Sequence, residues 1–273
     1  MVIDTLLHLP QAVRDAAYDN TRAVASSAQQ LAAFEARSMA VVQQHAADLD
    51  VAYGPGARQR LDYFHGPAGA PTLLFIHGGY WQMRHKNSFR FVVQGALQQG
   101  VQAALIGYTL APHASLTQIV QEVRQGIAAV RRQALAAGGS GRILLCGWSA
   151  GGHLTALGLD GDGVVGGLGI SGIYALEPVR HTYLNQALQL TPAEVDQLSP
   201  LQLPVVDKPL VLAYGTAELA QLQAQTQAFA HYRQAAPGAC LAVPGADHFS
   251  ILNALADPQG VALQALLAQV GTA

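Results

Sequence analysis

The chain is short of charge. Asp, Glu, Lys and Arg make up 12% of its 273 residues, about half the ~25% usual in soluble proteins. Lys and Arg number 15 against 17 Asp and Glu, a net charge of −2. So neutral a surface cannot neutralise a phosphate backbone, and nucleic acid is excluded as a partner. Cysteine is scarce as well. Cys146 and Cys240 cannot build a disulfide framework or a Cys-based zinc site. Both sit in apolar runs, where they are expected to be small buried hydrophobes. Long apolar runs are missing too. The uncharged stretch Phe91–Gln121 is interrupted by Gln, Gly, Pro and His, so no segment reads as a membrane span. Met1–Pro10 carries Asp4 and no basic residue before it, unlike a secretory signal. A cytoplasmic protein is the expectation.

The charge is replaced by alanine and glutamine, 48 and 27 residues respectively. The surface is therefore expected to be polar through amides, and low charge leaves a homodimer open. A 51% hydrophobic share rules out disorder. The length suits one large domain, and no repeat or linker divides residues 1–273.

An Ala/Gln-rich segment up to about residue 48 places Leu31, Phe34, Met39, Val41 and Val42 roughly on one helical face, which predicts a helical N-terminal arm. Leu49–Tyr53 and Arg60–Phe64 flank Gly54-Pro55-Gly56, the pattern of a hairpin. Apolar runs follow at Thr72–Ile76, Val101–Ile106, Ile143–Cys146, Val164–Ile170, Leu210–Ala213 and Cys240–Val243. Unbroken runs of this kind suggest strands buried on both faces. Helical patterns separate or follow them at Ser88–Gln99, Leu116–Ala137, Ala150–Leu159, Leu219–Ala235 and about Pro258–Val270. Alternating strands and helices predict an α/β fold, a mostly parallel sheet with helices on both faces. Residues 175–207, with Pro178, Pro192, Pro200 and Pro204, break the rhythm and read as an insertion of short helices.

Gly147-Trp148-Ser149-Ala150-Gly151 fits G-x-S-x-G between a strand and a helix, the context of a nucleophile elbow. The helix that follows favours negative charge near the serine oxygen. His77-Gly78-Gly79-Tyr80-Trp81 ends an earlier strand. There the N–H groups of Gly78 or Gly79, with that of Ala150, could form an oxyanion hole. His248 follows the last strand run, where this chain order requires a base. Between Lys208 and Asp247 the one carboxylate is Glu218, which would accept the Nδ1 proton of that histidine. Asp247, adjacent to His248, is the other acid to weigh, and its plainer reading is a turn contact. Gly161-Asp162-Gly163-Val164-Val165-Gly166 matches G-x-G-x-x-G but precedes a strand, so it reads as a turn and not a dinucleotide fingerprint. His153, one helical turn after Ser149, reads as a packing residue. No metal-ligand spacing appears.

Together these motifs resemble the α/β-hydrolase superfamily, and within it the kynurenine formamidase (arylformamidase) branch. Tyr53-Gly-Pro-Gly, Tyr80-Trp-Gln82, Tyr108-Thr-Leu-Ala-Pro112, Ser171-Gly-Ile-Tyr174, Leu176-Glu-Pro178 and Leu198-Ser-Pro200 extend the likeness from about residue 15 onward. Three positions depart from the branch. Trp148 stands where His is usual, Glu218 where Asp is usual, and Ala175 where Asp is frequent. The resemblance implies a serine hydrolase that cleaves a small aryl formamide through Ser149, His248 and Glu218, with no metal or organic cofactor. Tyr80, Trp81 and Tyr108 would line the aryl pocket. The arm and the 175–207 insertion would form a small cap. A general carboxylesterase and a non-catalytic ligand-binding member of the fold are the alternatives.

Overall fold

A computed structural model describes residues 6–272. The first five residues of the Met1–Pro10 segment, and of the N-terminal arm, fall outside the described residues. Among the described residues, eight strands form one sheet: β1 (Ala47–Ala52), β2 (Arg60–Phe64), β3 (Thr72–Ile76), β4 (Gln102–Ile106), β5 (Ile143–Trp148), β6 (Val164–Ile170), β7 (Leu210–Gly215) and β8 (Gly238–Val243). Their spatial order is β1-β2-β4-β3-β5-β6-β7-β8. The β1–β2 and β2–β4 pairs are antiparallel and the rest are parallel. The predicted hairpin is β1–β2, with a register shift between Asp48 and Val51.

The alternation of side chains on β3 shows how the sheet divides the interior. Leu74 and Ile76 enter one apolar cluster, and Leu73 and Phe75 enter the other. The first cluster packs against helices Leu116–Ala136 and Ala150–Gly158. The second packs against Ser27–Gln44, Val261–Leu267 and the segment Lys86–Val93. Leu116, Ile119, Val120, Val123, Ile127 and Val130 give the longest helix its buried stripe. Ser115 and Gln118 close a capping box at its start. Among the described residues, no helix is long and apolar enough to cross a membrane.

The structure departs from expectation in two elements. The segment expected as one helix over Ser88–Gln99 is a 3₁₀ helix over Lys86–Val93 followed by a short α-helix, Gln94–Gln98. Its buried residues are Lys86, Phe89, Phe91, Val92 and Val93, and three of them, Lys86, Phe89 and Val92, fall at the three-residue period of a 3₁₀ helix. The other correction concerns Cys240. Cys146 is buried in β5, whereas Cys240 is exposed. It lies on β8, the last strand of the sheet, and Gly238, Ala239, Cys240 and Ala242 are all open to solvent. Leu241 and Val243 are half-buried against the second apolar cluster, and the rest of the run is open to solvent.

The expected turn at Gly161–Gly163 leads from a helix into β6. Residues 175–207 form short helices at Glu177–Arg180, Asn185–Leu188 and Pro192–Leu198. The arm touches this insertion directly. The Gln11 side chain donates to the His181 carbonyl at 3.0 Å, and the Tyr183 amide donates to the Asp15 carboxylate at 2.7 Å.

Candidate active site

β5 ends in a sharp turn. Ser149 has φ 57° and ψ −119°, and the helix Ala150–Gly158 starts at the next residue. A side chain on Gly147 would strike the Gly151 carbonyl, and one on Gly151 would strike the Ile76 carbonyl. Glycine therefore lets the new helix fold back tightly over β5 and β3. The Ser149 amide donates to the Ile170 carbonyl at 2.8 Å, and this bond supports the strained conformation. Tyr80, Trp81, Arg84 and Ser171 also have positive φ, at 50°, 58°, 78° and 50°. Backbone strain of this kind gathers where a fold overdetermines a site.

The loop after β3 lies against the turn. A Cβ on Gly78 would come 2.6 Å from the Trp148 carbonyl and 2.8 Å from the Ser149 Cβ. Among the described residues, no hydrogen-bond acceptor takes the N–H of Gly78, Gly79 or Ala150. His77 holds this loop from within. It stacks on Tyr108 with ring centroids 4.5 Å apart, and its Nδ1 lies 2.7 Å from the Gly78 carbonyl. Burial pushes its pKa down to about 3, so the ring is neutral and Nδ1–H donates.

His248 follows β8, and its Nδ1 lies 3.5 Å from Glu218 Oε2; both side chains are buried. The second oxygen of Glu218 is already engaged. Oε1 accepts from the Ser171 hydroxyl and, at 3.0 Å, from the Gly215 amide. That leaves Oε2 to face the imidazole. Asp247 points elsewhere. Its Oδ1 accepts from the amides of Phe249 and Ser250 at 2.9 and 2.7 Å, and its Oδ2 accepts from Gln30 at 2.9 Å. Burial pushes its carboxyl up, but these donors outweigh burial and the net shift is downward. It is a turn residue that binds the N-terminal arm.

Ser149 and His248 line one narrow cleft together with Gly79, Tyr80, Trp148 and Phe249. The cleft holds about 20 Å³ of open space. Tyr80 is on its wall; Trp81 and Tyr108 are not. Both are fully buried. Trp81 meets His153 edge-on at 5.0 Å, and the Tyr108 hydroxyl donates to the His77 carbonyl at 2.9 Å. They brace the loop from behind. His153 is also structural. Its Nε2 lies 2.8 Å from the Leu198 carbonyl, and burial lowers its pKa to about 4.

Three contributors escaped the sequence reading. Ser171 was visible only as part of a motif, and its contact with Glu218 spans 47 residues. Asn20 and Arg84 line the cleft without any local signal. Trp148 was noted as a departure. Its indole donates to the His248 carbonyl at 2.7 Å, and the two rings lie 4.8 Å apart. It thus holds the histidine loop in place.

A serine at a strained strand–helix turn, beside a buried histidine backed by a carboxylate, is the arrangement of a hydrolase with the α/β-hydrolase fold. The comparisons agree. Residues 65–162 match the BD-FAE family model. A candidate thioesterase from Silicibacter sp. TM1040 superposes with a TM-score of 0.83 at 26% identity, over 93% of this chain and 98% of that one. The kynurenine formamidases of Salmo salar and Danio rerio are each 30% identical, over 82% of this chain and 82% of their own. The chain belongs to the kynurenine formamidase family.

Proposed function

We propose that the protein hydrolyses a small N-aryl formamide, N-formylkynurenine-like, with Ser149 as nucleophile, His248 as base and Glu218 as the acid that orients it. The observation that carries this reading is the pairing of Ser149 and His248 on one cleft wall, with Glu218 behind the histidine, in a chain 30% identical to two kynurenine formamidases. The aryl leaving group would extend along Tyr80 toward the mouth, where Arg84 offers a cation to an anionic substituent.

In this mechanism Ser149 Oγ attacks the formyl carbon and its proton passes to His248. The oxyanion is held by the N–H of Ala150 with that of Gly78 or Gly79. The C–N bond then breaks, its electron pair stays on nitrogen, and His248 returns the proton there. Water, deprotonated by His248, cleaves the formyl ester and regenerates Ser149 with release of formate. No step calls for a metal or organic cofactor. The free thiols of Cys146 and Cys240 fit a reducing, cytoplasmic setting. The substrate is a small molecule, and the uncharged open edge of β8 is the surface on which a homodimer would form.

A series of aryl esters of rising acyl length, assayed beside N-formylkynurenine, tests the reading. kcat/KM should be highest for formyl compounds and fall steeply from formyl to butyryl. Ser149→Ala should abolish both turnover and fluorophosphonate labelling. A preference of more than tenfold for longer acyl esters would favour the carboxylesterase alternative.

A further inference from the structure

Asn20 opens the short helix Asn20–Ala23 of the N-terminal arm and is only 4% exposed. Its side-chain nitrogen donates to the Tyr80 hydroxyl at 2.8 Å, and that hydroxyl donates to the Tyr18 carbonyl at 2.6 Å. A phenol has one proton, and a carbonyl can only accept. With its proton committed to Tyr18, the Tyr80 oxygen must receive its other bond from an N–H. This fixes which end of the Asn20 amide faces Tyr80. Oδ1 is turned away, and among the described residues it has no hydrogen-bond partner. A buried acceptor without a donor costs free energy that a ligand can recover. Asn20 lines the same cleft as Ser149 and His248.

Resting on the formamidase reading, we infer that Asn20 Oδ1 accepts a hydrogen bond from the N–H of the scissile amide, so that Asn20 selects amides over esters. An amide places a donor on its leaving atom. An ester places an oxygen there, whose lone pairs would face those of Oδ1. A site built around a hydrogen bond rejects the analogue that lacks it far better than an apolar pocket rejects a change of size. Holding the N–H on the Asn20 side also leaves the nitrogen lone pair of the tetrahedral adduct free to take the proton from His248. The N-terminal arm then supplies a substrate contact as well as a cover.

The test compares formanilide with phenyl formate, which share acyl group and ring and differ in N–H against O. Asn20→Ala should lower kcat/KM for formanilide about tenfold more than for phenyl formate, which corresponds to about 1.4 kcal/mol. The ratio is insensitive to how much of the variant is folded. N-methylformanilide needs no variant: relative to hydroxide-catalysed rates, the wild type should cleave it at least tenfold more slowly than formanilide. Equal losses on both substrates, or an N-methyl compound cleaved as well as formanilide, would overturn the assignment of Asn20 while leaving the formamidase reading standing. A wild-type enzyme that cleaves phenyl formate but not formanilide would overturn the formamidase reading itself, and the selectivity of Asn20 with it.

Discussion

Glu218→Gln is the substitution whose outcome the site's hydrogen bonds specify most closely. Glu218 Oε1 holds two donors, the Ser171 hydroxyl and the Gly215 amide. In the variant the amide oxygen keeps that place, because an NH₂ group there would face the Gly215 N–H, which can only donate. The new NH₂ therefore faces His248 Nδ1, 3.5 Å from the present Oε2. It would donate to Nδ1, move the ring proton to Nε2 and leave the imidazole unable to accept the serine proton. The charge is lost as well. At 3.5 Å and an effective dielectric of about 20, the attraction between carboxylate and imidazolium is about 5 kcal/mol, worth 10³ to 10⁴ in rate. kcat on an aryl formate should fall by about that factor, with KM and melting temperature little changed. Asp247→Asn is the matched control. Its Oδ1 can still accept from Phe249 and Ser250, so turnover should stay within about threefold. Retention of more than a tenth of turnover by Glu218→Gln would refute the assignment, as would an equal loss in Asp247→Asn.

Two further predictions concern stability. Lys86 is fully buried, with Nζ 2.6 Å from both Asp50 and Asp62, and Arg90 reaches Asp62 at 2.8 Å. Lys86→Met leaves the buried Asp62 short of a counter-charge and should cost about 3–5 kcal/mol, a drop in melting temperature on the order of 10 °C; a loss under about 1 kcal/mol by denaturant titration would show that the cluster is dispensable. His77 and His153 have pKa values pushed down by burial to about 3 and about 4. The unfolded chain therefore binds their protons first. Their contribution is complete above about pH 6.5 and lost as pH falls toward 4, with a slope of about 1.4 kcal/mol per pH unit for each. His153→Gln should flatten that acid limb by one proton, and an unchanged slope in urea titrations from pH 7 to 4 would count against burial as the cause.

Much of the site could be read from the chain because its parts are local. G-x-S-x-G between an apolar run and a helix states the turn and its strain within a few residues. The scarcity of charge left Glu218 alone in the window after β7, and the structure sets it against His248. What escaped depends on distance or on position in the sheet. Tyr80, Trp81 and Tyr108 look alike as aromatics near a loop. Only tertiary packing sends Tyr80 to the cleft and the other two behind it. Cys240 resembles Cys146 in its apolar neighbours, and the strand order alone makes one an edge residue and the other a core residue.

The low charge also changes meaning once the fold is known. Apart from Arg84 on the cleft wall, charged groups around the site are held in place by specific partners. Lys86, Asp62 and Arg90 pin the 3₁₀ segment that follows the Gly78-Gly79 loop to β2. Asp247 ties the histidine loop to the N-terminal arm through Gln30. Glu218 spends one oxygen on Ser171 and Gly215 and the other on His248. Neutral groups do the remaining positioning, as Trp148 does for His248 and Tyr18 and Tyr80 do for Asn20. Around Ser149 the cleft is walled largely by neutral groups, with Arg84 as a cation on its wall, and this suits an uncharged reacting group with one donor and one acceptor, which a formamide carries on the two atoms bonded to its carbonyl carbon.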